Sequence, residues 1–263
     1  MSFSKSSTRT SSNRESLKTE SGGAAPPLFQ CDGGGVKLSK RLAAVAAFVP
    51  QGAVAADIGT DHGLVPAHLV LTGRARAVYA CDIGEGPLNR ARRTAKALGL
   101  EGVIRFRLTD GLDGLEDEGI DTAILAGMGG ETMGGILSRA PWIKTRGVRL
   151  VLQPQSKLDV LEACLSANGY AIKDAALVLE DGKHYVVLFA VLCEGDKPRA
   201  LEVLLEKRDP LLPAYLEHCI SKQEKKLSGL RRAASPDEDE IRRAQEALGA
   251  LRNMKEETKA WQQ

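Results

Sequence analysis

Four groups of residues in this chain have the types and spacing to do chemistry, and each follows a short apolar run. The first is Asp57-Ile58-Gly59-Thr60-Asp61-His62-Gly63, after the apolar "AVAA". The second is Asp82-Ile83 after "AVYAC", and the third is Asp110-Gly111 after "VIRFRLT". The fourth is Ala126-Gly127-Met128-Gly129-Gly130. A dinucleotide site would place G-x-G-x-x-G after such a strand, so that bare backbone meets a pyrophosphate at a helix N-terminus. Here Asp61 stands at the central glycine position and Asp57 lies close by. Carboxylates repel a pyrophosphate but suit a cationic ligand that keeps the nucleoside. S-adenosylmethionine, with its adenosine, sulfonium and ammonium, is such a ligand. Gly59 allows the sharp turn, and Asp82 is placed to accept from ribose hydroxyls. Asp110 is placed for the adenine amine, with Ile83 and Gly111 bordering the same crevice. His62 either lines the pocket or caps the loop.

These groups need a scaffold that brings strand ends together. Helical spacing marks residues 38–49, with Ser39 as N-cap, and strands are expected at 53–58, 77–83, 103–110, 120–130 and 148–155. Helices are expected between them at 64–73, 86–100, 131–140 and 157–170, and Asp181-Gly182 marks a hairpin within 171–192. Strand and helix alternating in this way predict an α/β fold, a mainly parallel sheet covered on both faces. Its ligand belongs at the C-terminal strand ends.

After Pro198 the pattern changes. Leu212, Leu216, Cys219, Gln223, Leu227 and Leu230 step by three or four, as do Ile241, Ala244, Leu248, Leu251, Thr258 and Trp261. Two such stripes predict an antiparallel coiled-coil hairpin, with Ser235 and Pro236 starting its second helix. The expected divisions are a disordered tail over 1–34, an α/β domain over 35–195 and a C-terminal helical hairpin over 196–263.

Composition narrows the function classes. The 263 residues are 43% hydrophobic and 27% charged, with a net charge of +2, so overall charge does not argue for nucleic acid. Clustering does: Lys37, Lys40 and Arg41 flank the first helix, Arg90, Arg92, Arg93 and Lys96 lie on another, and basic residues crowd the hairpin. Five widely spaced cysteines with no C-x-x-C pair read as reduced thiols of a cytoplasmic protein, without a metal. No apolar stretch approaches the ~20 residues of a membrane span, and no oligomer is implied.

Together "DIGTDHGLVP", "CDIGEGPLNRAR", "RLTDGL", "AGMGG", "LQPQ" and "EDGKHYVV" resemble the bacterial tRNA (adenine(22)-N(1))-methyltransferase family, over about residues 37 to 192. The resemblance implies a class I, Rossmann-like methyltransferase domain with a C-terminal coiled coil. It implies S-adenosylmethionine as cofactor, tRNA as partner and methylation of adenine N1. Gln155 stands where Asn is expected, which leaves a role for residue 155 open. The small residues 126–130 leave room for a flat base, where amine methylases carry an Asn/Asp-Pro-Pro-aromatic motif. Gly127 and Met128 are then the floor of the reaction site, and Asp57 or Asp61 the carboxylate beside the developing charge. Gln153-Pro154 at the fifth strand tip, His184-Tyr185 after the hairpin turn, and Lys40 and Arg41 are the candidate substrate contacts. The rivals are a dehydrogenase, a methyltransferase of proteins or small molecules, and a non-catalytic RNA-binding protein.

Overall fold

The computed structural model describes residues 36–233 and 237–262, all within one compact unit, Cys31–Gln263. The expected tail, and Ser235 and Pro236, lie outside the described residues.

The strands are β1 (Ala53–Ile58), β2 (Ala75–Asp82), β3 (Ile104–Leu108), β4 (Thr122–Gly129), β5 (Arg149–Ser156), β6 (Tyr170–Glu180) and β7 (Lys183–Leu192). They form one sheet in the order β3-β2-β1-β4-β5-β7-β6. The first five are parallel, and β7 runs antiparallel between β5 and β6. Strand order reverses direction between β1 and β4, which opens a crevice at their C-terminal ends.

Every residue of β1 is buried because helices cover both faces. Ala53 and Ala55 pack with Val45 of α1 (Lys40–Phe48), with Val49 just after it, and with Val65 and Leu69 of α2 (Leu64–Leu71). Val54, Ala56 and Ile58 point the other way. They join Met133 of α4 (Gly130–Arg139) and Leu161 and Leu165 of α6 (Leu158–Ala167). Helix α3 (Glu85–Ala97) covers the β2–β3 edge through Ala95. A short α5 (Trp142–Thr145), which the periodicity did not suggest, precedes β5. Ser39 caps α1, its hydroxyl accepting from the Leu42 N–H.

One strand differs from the sequence expectation: β3 ends at Leu108, so Asp110 sits in the turn beyond it. The glycine cluster is the end of β4, within the expected strand, and it is bulged. Its register against β5 slips around Gly127, which adopts φ +81°. A residue without Cβ enters that conformation at little cost.

The C-terminal helices are α7 (Ala200–Glu206), α8 (Leu212–Arg232) and α9 (Glu238–Lys259). Asp237 caps α9, accepting from the Glu240 N–H at 3.0 Å. Helices α8 and α9 pack together through Leu227, Ile241, Ala244 and Leu248. The lower part of the Leu stripe has a different partner: Leu212 and Leu216 belong to the core beneath the sheet, with Leu251, Met254 and Trp261 packed against it.

Candidate active site

At the tip of β1 the chain turns through Gly59 at φ +77°, and the N–H groups of Gly59 and Thr60 donate to the Cys81 carbonyl of β2. This folds the turn over the sheet. A Cβ on Gly59 would come 2.5 Å from the Met128 side chain, so the first and fourth strand tips are in contact there.

The two acids of this turn have different surroundings. Asp57 is 6% exposed. Burial raises its pKa to about 6, the Thr60 hydroxyl opposing the rise and the Asp82 charge adding to it. Asp61 is exposed and clasped by Arg90, whose Nε and Nη2 donate to Oδ1 at 2.8 and 2.5 Å. His62, at φ 65°, is exposed with Nε2 3.7 Å from Asp61 Oδ2. Of the two candidate carboxylates, Asp57 is thus the one with no ion pair to a basic side chain among the described residues.

At the β2 tip the Asp82 carboxylate accepts from the Gly84 N–H at 2.8 Å. Ile83 next to it is 72% exposed, and Leu108, adjacent at the β3 tip, is 53% exposed. Leu108 gave no signal in the sequence, where it reads as one more apolar strand residue. Asp110 is held by Arg139 of α4 at 2.9 Å, and a Cβ on Gly111 would collide with Ile136.

A second group gathers at the ends of β4 and β5. Gln153 is fully buried, and its Oε1 accepts from Arg41 Nη1 at 2.7 Å. The Arg41 guanidinium lies 5.6 Å from the Tyr185 ring centre and 3.8 Å from where a Cβ on Gly127 would stand. Pro154 pairs with Met128 across the two strands. His184 is not in this group. It faces α8, with ring centres 5.7 Å from Tyr215 and 6.2 Å from His218. Successive residues of a strand point to opposite faces, so Tyr185 and His184 part company. Lys40 is exposed on α1.

The donor set fits a cationic nucleoside. Asp57 is a buried acid that a neighbouring cation would ionise. Asp82 offers a carboxylate beside it. Ile83 and Leu108 offer exposed apolar surface to a flat ring, and the glycines at 59 and 127 clear the floor. No group of three His, Cys, Asp or Glu side chains that could hold a metal is found among the described residues.

Fold and site together define a Rossmann-like methyltransferase, and residues 38–188 match the methyltransferase-domain family. The chain is 38% identical over 167 residues to the tRNA (adenine(22)-N(1))-methyltransferase of Bacillus subtilis (strain 168), covering 64% of this chain and 69% of that protein. It superposes on the crystal structure of the B. subtilis m1A22 tRNA methyltransferase TrmK with a TM-score of 0.73, covering 84% of this chain and 99% of that one at 29% identity. M. capricolum TrmK, solved with S-adenosyl-homocysteine, matches with a TM-score of 0.70 and 27% identity, covering 84% and 99%. The chain belongs to the tRNA (adenine(22)-N(1))-methyltransferase family.

Proposed function

We propose that this chain methylates ring nitrogen N1 of an adenine in tRNA, at position 22, using S-adenosylmethionine in the cytoplasm. The observation that carries the reading is the bare, bulged strand end at Gly127. It lies beside the acid-bearing turn on one side and the Arg41–Gln153–Tyr185 group on the other. When bound, the cofactor supplies a methyl group on a sulfonium centre. Asp57 would hold the cofactor's cationic end and Asp82 its ribose. The clasp of Arg139 on Asp110 keeps the third acid at the rim for the adenine end. Gly127 lets a flat base approach without meeting a side chain. N1 carries a free lone pair at neutral pH, so the chain has no proton to remove before attack. Orientation of the base supplies the acceleration, and the Asp57 carboxylate favours the positive charge that grows on it. N1 lies on the Watson–Crick edge, so the base must leave any stack or pair, at a cost of a few kcal/mol.

Mass spectrometry of nucleosides from unmodified tRNA, incubated with the protein and labelled S-adenosylmethionine, tests the reading. N1-methyladenosine carrying the label is expected. Label on an exocyclic amine, on another base or on protein would overturn it.

Cofactor binding should depend on pH through Asp57. Its folded pKa, about 6, lies above the ordinary 3.8 of an aspartate in water. The empty protein therefore binds the extra proton between these values, and this group's contribution to stability falls as pH rises through them. Keeping the bare carboxylate ionised at pH 7 costs about 3 kcal/mol. A cationic ligand favours the ionised form. Affinity should thus fall by up to ~tenfold per unit below pH 6 and level off above pH 7. Asp57→Asn should flatten the profile. Calorimetry at pH 5, 6 and 7 reads this directly, and an unchanged slope in the variant would take Asp57 out of the cofactor site.

The tRNA body would be gripped by the distal part of the helical pair. There Arg231, Arg232, Arg252 and Gln245 line a groove of about 690 Å³ between α8 and α9. Arg252 is already paired with Glu224 at 2.7 Å. Removing Arg231 and Arg232 together should weaken tRNA binding and lower the log–log salt slope by about two, leaving cofactor affinity intact. The double substitution is a cleaner test than truncation, because α7 and the start of α8 are part of the main core. Unaltered tRNA affinity at two salt concentrations would leave the groove without this role.

A further inference from the structure

We infer that Arg41 is a positioning residue for methyl transfer, acting through the Gln153 amide at the bulged end of β4, rather than a phosphate contact. The inference rests on the proposed function and names how its base site is held.

A phosphate contact keeps its cationic head in solvent. Arg41 does the reverse, turning its guanidinium from the start of α1 toward the strand ends. The head group is seated between the Gln153 amide, the Tyr185 ring and the open face of Gly127. A guanidinium only donates, so it obliges the amide oxygen of Gln153 to face it. Gln155 Nε2 donates to the same oxygen at 3.3 Å. The opposite end of the amide then donates from Nε2 to the Pro154 carbonyl at 2.9 Å. Because Gln153 is fully buried, an amide turned the wrong way would strand its polar atoms, at real cost. Arg41 thereby sets which way the amide faces and ties it to the strand pair that carries Met128. The planar guanidinium borders the space above Gly127, and such planes stack on unpaired bases. Lysine, a point charge on a flexible stem, supplies neither the fork nor the plane. The main-chain N–H of Arg41 also reaches Glu180 Oε1 at 3.4 Å, which helps fix the start of α1 against the end of β6.

The experiment is steady-state methylation of unmodified tRNA by the full chain and by Arg41→Ala, Arg41→Lys, Gln153→Met and the Arg41→Ala/Gln153→Met pair. Cofactor affinity and melting temperature are measured in parallel. Arg41→Ala should lose on the order of a hundredfold in kcat. Its KM for tRNA should change by less than about threefold, its salt slope should hold, and its cofactor affinity should stay within about twofold, as expected when an interaction made only in the transition state is lost. Lysine should restore little. The double variant should be no more than about threefold slower than the slower single, as coupled residues behave. Gln153→Met keeps the buried volume; if it fails to fold, the division between kcat and KM in Arg41→Ala decides alone. A loss confined to KM, with the salt slope reduced by about one, would make Arg41 a phosphate contact and overturn the inference. Losses that multiply, or full activity in Arg41→Ala, would overturn it too. A wild-type protein that leaves adenine N1 unmethylated would instead overturn the functional reading, and this inference with it.

Discussion

Gly127→Val is expected to abolish tRNA methylation, by at least about a hundredfold, while S-adenosylmethionine binding changes by only a few-fold. Gly127 stands at φ +81°, in the bulge where β4 slips against β5. A side chain there would point into the space bounded by the Arg41 guanidinium, 3.8 Å from its first carbon. Two effects add. The left-handed backbone costs an L-residue roughly 1–2 kcal/mol, and a β-branched residue suffers most. The isopropyl group also fills the line along which the base must come, and an ångström of displacement is enough to break near-attack geometry. Gly127→Ala separates the effects, since it carries most of the strain and little of the bulk. It should melt almost as early as the valine variant and keep more activity. Tritium transfer to tRNA, with cofactor affinity from calorimetry, provides the measurement. Full activity in a folded Gly127→Val protein would mean that the base approaches elsewhere.

Asp82→Ala is expected to weaken S-adenosylmethionine binding by about ten- to a hundredfold, the ~1.5–3 kcal/mol typical of hydrogen bonds to a charged acceptor. Asp82 ends β2 and turns one oxygen to the Gly84 N–H at 2.8 Å, which orients the carboxylate at the start of α3. The same substitution has a second readout. The Asp82 charge contributes to the raised pKa of Asp57, so its removal should move the pH dependence of binding to lower pH. Both changes in a variant that melts like the wild type would place Asp82 beside the cofactor. Unchanged affinity in a folded variant would remove it from the site.

Much of the scaffold could be read from local pattern. The residues of β1 agree with the structure end to end, because an apolar run between Gly52 and Gly59 leaves no other reading. The hairpin at Asp181-Gly182 has positive φ at both residues, the backbone that this dipeptide favours. The C-terminal stripes were legible as helices. Their partners were not: Leu216 and Leu227 repeat at the same spacing, yet one packs beneath the sheet and the other against α9.

What the sequence by itself determined is the strands and most of the helices, α5 and α7 excepted, and the acids at or just past the strand ends, since these follow from neighbours a few residues apart. Period, capping and turn chemistry are local properties, and Asp57, Asp82 and Asp110 inherit their places from them. What only the tertiary structure decided is how those groups are partnered. Arg90 neutralises Asp61, Arg139 holds Asp110, and Arg41 meets Gln153 across 112 residues of chain. Such contacts depend on strand order and on the face each helix covers, and no local spacing encodes them. The same is true of the bulge at Gly127. Its register slip is a property of two strands together, and it sets Gly127 in a left-handed conformation beside the Arg41 guanidinium.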